Sequence, residues 1–284
     1  MAATLMLGRP LAERIRAEVA EAVGQLGHVG LATVLVGDDP ASQVYIRNKH
    51  EAAIAAGIDA RDVRLPAETS EEDVLAEVEA LVADDQIDAV LVQLPLPDQM
   101  DEERVLAAVD PIKDVDGFHP FNAGQLYLGR PTLVPATPLG IMELLDEHGV
   151  PLEGARAVVV GRSEIVGKPA AHLLLQANAS VSICHSRTDD LAHYTRDADV
   201  LVVAVGRARV VGAEMVKPGA TVVDVGINRT ESGLVGDVDP AAVDVAGRLT
   251  PVPGGVGPMT IALLLRNAVR CAKYRRGDLV FPAR

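Results

Sequence analysis

The chain has 284 residues, with 26 Lys and Arg against 40 Asp and Glu for a formal net charge of −14; 49% of its residues are hydrophobic and 2% aromatic. Half apolar and moderately charged, it is not a disordered chain, and its acidity excludes nucleic acid as the expected partner because phosphate contacts need clustered cations. Two cysteines, Cys184 and Cys271, cannot build a disulfide framework, no metal-ligand spacing occurs, and charges break every apolar run near the start, so the expectation is a cytoplasmic protein with no metal and no membrane partner.

Leu11, Ile15, Val19 and Val23 recur at helical spacing between charges, which predicts an amphipathic helix over 11–23. Residues 30–37 read GLATVLVG, a continuous apolar run closed by glycine, the pattern of a buried parallel strand. A helix over 42–56, a short strand over 61–65, a helix over 71–83 begun by Thr69-Ser70, and a buried strand over 88–93 follow. This β-α-β series predicts an α/β layer structure. Residues 110–138 lose periodicity and collect Gly, Pro, Asp and Asn, as expected of an irregular linker that carries function. A helix over 139–148 then opens a second series, with strands over 155–160, 180–184, 200–205 and 221–225 and a final helix over 259–274 that ends in basic residues. The predicted architecture is two α/β lobes with a cleft between them.

Within the second series, 157–176 read as strand, glycine-containing turn and helix. Gly161, Ser163 and Gly167 give G-x-S-x-x-x-G, an imperfect form of the dinucleotide-binding turn in which backbone amides and a helix N-terminus face a pyrophosphate. An ordinary strand-to-helix turn is the alternative. The next strand ends in Ser186, Arg187 and Thr188, which supply hydroxyls and a cation where NAD-binding folds place a carboxylate; with Arg162 in the first turn, this predicts NADP over NAD. Solvated surface is the competing role for Arg187. Cys184 and His185 read as strand-end filler. In the first series, Tyr45 and Lys49 share one helical face, so a ring and an ammonium can enter a single pocket, although a surface pair is the commoner fate.

Six segments carry a resemblance: YIRNK (45–49), VQLPLP (92–97), DVDGF (114–118), GRSEIVGKP (161–169), VDVGIN (223–228) and PVPGGVGPMT (251–260). In order and over most of the chain, they closely resemble the bifunctional methylenetetrahydrofolate dehydrogenase/cyclohydrolase family. The resemblance implies an N-terminal substrate lobe over 1–138, a Rossmann-like NADP-binding lobe over 139–258, and a C-terminal helix, about 259–284, packing back on the first. It implies a homodimer formed mainly through the cofactor lobes, and an enzyme of one-carbon metabolism with a tetrahydrofolate substrate and NADP as cofactor. The implied reactions are oxidation of the methylene to the methenyl form and its hydrolysis to 10-formyltetrahydrofolate, a donor for purine biosynthesis. Lys49 and Gln93 become the hydrolytic pair, with Lys49 either the base or the group that positions a water. Tyr45 is expected to stack on the folate ring and Asp116 to bind the pterin's donor edge, while Asp114 is left to the turn. Leu94, Pro95, Pro253, Gly254, Gly255, Val256 and Gly257 are expected against substrate. Gly161, Arg162, Ser163, Ile165, Gly167, Ser186, Arg187, Thr188, Gly206, Gly226 and Ile227 are expected against cofactor, Ile227 at its nicotinamide end. Ala136 stands where many members have Cys, which removes a thiol but no catalytic group. Competing readings are a two-lobed NADP dehydrogenase of the shikimate type, a member with one activity, and a non-catalytic NADP-binding protein.

Phe118, Phe121 and Tyr127 also fall in or just after the substrate segments, which singles out Tyr45 as the stacking ring among few candidates. Against a charge of −14, anionic ligands must be drawn by local cations such as Lys49, Arg162 and Arg187.

Overall fold

A computed structural model describes residues 2–231 and 233–283. The chain begins with strand β1 (Thr4–Leu5) and helix α1 (Gly8–Leu26), which runs beyond the predicted 11–23 at both ends. Then come β2 (Gly30–Val36), α2 (Pro40–Ala55), β3 (Asp59–Leu65), α3 (Glu71–Ala83), β4 (Ala89–Val92) and α4 (Glu102–Ala108). Strands β3, β2 and β4 form a parallel sheet in that order, and β2 is buried along its whole length, as its unbroken apolar run requires. Ser70 caps α3 by accepting from the Asp73 amide. Helix α4 is absent from the sequence expectation; it starts on Asp101, whose carboxylate accepts from the amides of Glu103 and Arg104.

The segment 110–138 is more ordered than its composition predicts. Helix α5 (Pro120–Tyr127) lies inside it and α6 (Ala136–Glu147) begins before its end. Proline is the reason for the difference. Pro120 and Pro138 occupy first turns, where a missing N–H costs nothing, so they start helices that a composition count reads as broken. The same holds for the last helix, α9 (Val256–Arg276), which carries Pro258 in its first turn and begins earlier than expected.

The second series comprises β5 (Arg156–Val160), α7 (Gly167–Gln176), β6 (Ser180–Cys184), α8 (Leu191–Thr195), β7 (Val200–Val203), β8 (Thr221–Asp224), the antiparallel hairpin β9 (Asn228–Thr230) and β10 (Gly233–Val235), and β11 (Arg248–Leu249). Its parallel sheet runs β1-β11-β8-β7-β5-β6. The chain divides into two compact units, Met1–Glu13 with Pro135–Leu263, and Arg14–Val134 with Leu264–Arg284. Residues 2–13 therefore fall outside the unit expected over 1–138: β1 hydrogen-bonds in parallel to β11 of the larger sheet.

Each unit has its own aliphatic core, one around Val158, Leu201, Val203 and Val222, the other around Val34, Val78, Leu81 and Val90. Polar anchors complete the second. Buried Asp88 accepts from the Gly30 amide and from Arg275 and Arg276 of α9. Lys113 Nζ donates to the Val82 and Asp84 carbonyls, satisfying the free end of α3. Phe281 stacks on Phe121 at 5.5 Å between centroids and meets Tyr274 edge-on at 5.0 Å.

Candidate active site

Helix α2 places Tyr45 and Lys49 one turn apart, and the fold completes the pair. Lys49 is 5% exposed; its Nζ lies 4.6 Å from the Tyr45 ring centroid and donates to Gln93 Oε1 at 3.1 Å. Gln93 follows β4, and its Nε2 donates to the Leu94 carbonyl at 2.7 Å, which fixes the amide with its oxygen toward the lysine. Leu94 is half-buried, while Pro95, after a cis bond, is exposed. Burial pushes the Lys49 amine below its ordinary 10.5, and the Asp116 carboxylate opposes that shift. Asp116 is raised from 3.8 to about 6, first by burial; Lys49 restrains the rise and Asp114 adds to it.

Asp114 falls to the turn, as expected. Asp114 is buried and accepts from the amides of Phe118 and His119 and from Asn122 Nδ2, so it ties the turn together. Gly117 has φ +71°, and a Cβ there would lie 2.8 Å from the Val134 carbonyl carbon, so the turn requires glycine. From α9, Asn267 Nδ2 donates to the carbonyls of Val115 and Val134, gripping the backbone beside Asp116. Of the rings near this segment, Phe121 belongs to the Phe281 cluster and Tyr127 is 71% exposed. Tyr45, with 38% of its surface open, combines a ring face with a titratable neighbour.

In the other unit, the turn from β5 to α7 is tightly packed. A Cβ on Gly161 would sit 2.2 Å from the Ala204 carbonyl oxygen, and one on Gly167 would sit 2.3 Å from that of Gly161. Ser163 Oγ accepts from the Val166 and Gly167 amides, tying the turn together just ahead of α7, a role the glycine motif does not reveal. Arg162 and Ile165 are exposed beside it. After β6, Thr188 Oγ1 accepts from the His185 amide and His185 Nδ1 accepts from the Arg187 amide. His185 is thus a turn former rather than filler, and the turn it makes leaves Ser186 and Arg187 exposed.

Gly206, with φ +64°, and Gly226 lie beyond the ends of β7 and β8. Ile227 is 61% exposed, and a Cβ added to Gly257 would lie 3.5 Å from its Cδ1. The fold therefore brings Ile227 to the glycine-rich entry of α9. A cavity of about 140 Å³ is lined there by Arg9, Ile227, Leu234, Pro253, Gly254 and Val256, among others. Gly255 is buried and lies so close to Gly8 that a Cβ on the latter would fall 1.9 Å from its carbonyl oxygen. Two buried carboxylates behind these loops, Asp224 and Asp237, escaped the sequence reading. Aspartates in the otherwise apolar runs TVVDVG and VGDVD are the signal that points to them. Among the described residues no His, Cys, Asp and Glu group can hold a metal, and no helix is long and apolar enough to cross a membrane.

Residues 6–116 match the family model for the tetrahydrofolate dehydrogenase/cyclohydrolase catalytic domain, and residues 135–276 that for its NAD(P)-binding domain. The bifunctional protein FolD of Acidiphilium cryptum (strain JF-5) is 56% identical over 279 residues, which cover 97% of this chain and 100% of the relative. The crystal structure of the bifunctional FolD dehydrogenase/cyclohydrolase from Campylobacter jejuni is 47% identical, with TM-score 0.95 over 96% of this chain and 100% of that one. The Trypanosoma brucei dehydrogenase-cyclohydrolase, complexed with NADP cofactor and inhibitor, is 38% identical, with TM-score 0.91 over 97% and 99%. Shikimate 5-dehydrogenase from Thermus thermophilus, at 19% identity and TM-score 0.51, shares the fold alone.

Proposed function

The chain belongs to the tetrahydrofolate dehydrogenase/cyclohydrolase family, and from that premise we propose how its own residues divide the family's two reactions. The protein is an NADP-dependent methylenetetrahydrofolate dehydrogenase and methenyltetrahydrofolate cyclohydrolase. The Lys49–Gln93–Tyr45 constellation, with Asp116 close enough to influence the lysine, is the observation that carries the residue assignment.

The residues present fit the cofactor. The packed glycines of the β5–α7 turn bring a helix N-terminus to the carboxyl end of a parallel strand, and Arg162, Ser186 and Arg187 stand exposed at two such ends, a donor set suited to phosphate. NADP, when bound, accepts the hydride that leaves the one-carbon bridge of methylenetetrahydrofolate. Tyr45 offers a face for the folate ring, and the Asp116 carboxylate pairs with the adjacent N–H donors of the pterin. These contacts fix the bridge carbon, and a hydride step depends above all on such placement.

In the hydrolytic step, water adds to the bridge carbon and gives one proton to Lys49 Nζ. The bond from that carbon to N5 breaks and N5 takes up the proton of the new hydroxyl, leaving a formyl group on N10 and one proton released overall. Lys49 acts as a base only as a neutral amine. Its burial favours that form, and the hydrogen bond to Gln93 Oε1 leaves the nitrogen lone pair for the water. Ile227 and the Pro253–Gly257 segment are assigned to the nicotinamide and substrate walls, where glycine permits close approach.

Coupled absorbance of NADPH and methenyl product, followed with NADP and with NAD, tests the function and the cofactor assignment together. Arg162→Ala and Arg187→Ala are each expected to lower kcat/KM for NADP by about tenfold while sparing NAD, as loss of a charge-assisted phosphate contact requires. Equal use of NAD throughout would remove the arginines from the site, and no turnover with either cofactor would end the functional assignment. The homodimer is supported by the outer edge of β6, which has no strand partner among the described residues and where Ile183 is 43% exposed, and by Tyr194 at 41%. Sedimentation is expected to return twice the chain mass, and a monomer would refute it. A cytoplasmic location is supported by two buried, unbridged cysteines.

A further inference from the structure

The loops that carry Gly206 and Gly226–Ile227 begin where β7 and β8 end, and two buried carboxylates hold their backbones. Asp237 is 0% exposed; its Oδ2 accepts from the amides of Val205 at 2.7 Å and Gly206 at 2.9 Å, and its Oδ1 accepts from Asn228 Nδ2 at 2.8 Å. Asp224, 4% exposed, accepts at Oδ1 from the amides of Gly226 at 3.0 Å and Asp237 at 2.9 Å, and at Oδ2 from Val238 at 3.0 Å. Thr250 Oγ1 fixes the Asp224 backbone from below, accepting from its amide and donating to its carbonyl. One carboxylate thus grips the loop after β7 and the side chain of Asn228, while the other grips the loop after β8.

The arrangement is costly for stability alone. Two desolvated carboxylates repel each other, and apolar side chains of similar volume fill such a place without that cost. Burial and the neighbouring Asp237 push Asp224 up to about 6 against its hydrogen bonds. Glycines clear the space: a Cβ on Gly236 would fall 1.7 Å from Asp224 Oδ2, and one on Gly226 2.1 Å from Asp237 Oδ1. What the pair supplies is directed, charge-assisted acceptors for backbone amides at the carboxyl ends of adjacent parallel strands, where folds of this kind bind nucleotides.

We propose that Asp237, backed by Asp224, is a positioning residue for hydride transfer: it sets the loops of Gly206 and Ile227 against the nicotinamide end of the cofactor. The proposal rests on the functional reading above. It touches the dehydrogenase and leaves the hydrolytic step alone, because Lys49, Gln93 and Asp116 lie in the other compact unit and hydrolysis transfers no hydride.

The experiment compares both activities in Asp237→Ala and Asp237→Asn. Wild-type turnover of both steps secures the functional reading first, so failure there is separate from failure here. Asp237→Ala is expected to raise the KM for NADP about tenfold and to lower dehydrogenase kcat, with kcat/KM for methenyltetrahydrofolate hydrolysis within about twofold of wild type. Asp237→Asn is expected to recover most of the NADP affinity, because its amide oxygen still accepts from Val205 and Gly206. An unchanged KM for NADP, or parallel loss of both activities in soluble protein, overturns the proposal. Should Asp237→Ala fail to fold, Asn228→Ala, which frees the other carboxylate oxygen and a longer contact to the Val235 carbonyl, decides: a rise of about threefold in the KM for NADP at constant hydrolysis supports the assignment, and no rise refutes it.

Discussion

Replacing Lys49 by Met is expected to lower methenyltetrahydrofolate hydrolysis by about 10³-fold while leaving dehydrogenase activity within about tenfold of wild type, since general-base catalysis contributes on that scale to the hydrolytic step alone. Methionine keeps an unbranched stem to pack beside Tyr45 and removes the amine that burial favours in its neutral form. Because burial disfavours the ionised form of that amine, the fold is not expected to suffer. Lys49→Arg is expected to be as inactive in hydrolysis, because guanidinium stays charged and offers no lone pair. Decay of methenyl absorbance and formation of NADPH, followed on one preparation, check both steps. Equal loss of the two would make Lys49 a binding residue.

Asp116→Asn is expected to abolish tight folate binding and so to cut kcat/KM of both reactions by about 10²-fold or more, because one of the two acceptors facing the pterin becomes a donor. The pH dependence follows from the same group. The carboxyl rises to about 6 in the folded protein, so the wild-type KM for folate is expected to climb as pH falls below about 6, a limb absent from Asp116→Asn. The effect on stability has the opposite sense. A folded-state value above the unfolded 3.8 means that the native state holds the proton more tightly; the contribution is complete at pH below 3.8 and is lost as pH rises through about 6. At neutral pH the asparagine variant is therefore expected to be more stable, by on the order of 2 kcal/mol, and thermal melting reads it. A lower melting temperature would show that Asp116 stabilises the turn rather than serving a ligand.

The elements easiest to read in the sequence are those set by short-range pattern. The unbroken apolar runs gave β2, β4, β5, β7 and β8 because strands buried on both faces carry no alternation, and α3 runs over 71–83 as its cap signal requires. Helices α4 and α5 were missed because they are short, and Asp101 and His119 cap them in stretches rich in turn residues. The residue types of the candidate site were legible as well: Tyr45 and Lys49 by helical spacing, Gln93 through the resemblance that VQLPLP carries, Gly161 and Gly167 by the turn.

Length, composition and motif order by themselves determined the α/β class, the two β-α-β series and the family, since each depends on which residues are present and in what order. Only the tertiary structure decided which charges are buried and what they face. It brought Gln93 to Lys49 across 44 positions, turned Ser163 and Thr188 into hydrogen-bond acceptors for local backbone, and set Asp224 and Asp237 behind the loops of β7 and β8. The physical reason is that desolvation and hydrogen bonding act over a few ångströms of space, whereas periodicity and capping act over a few residues of chain.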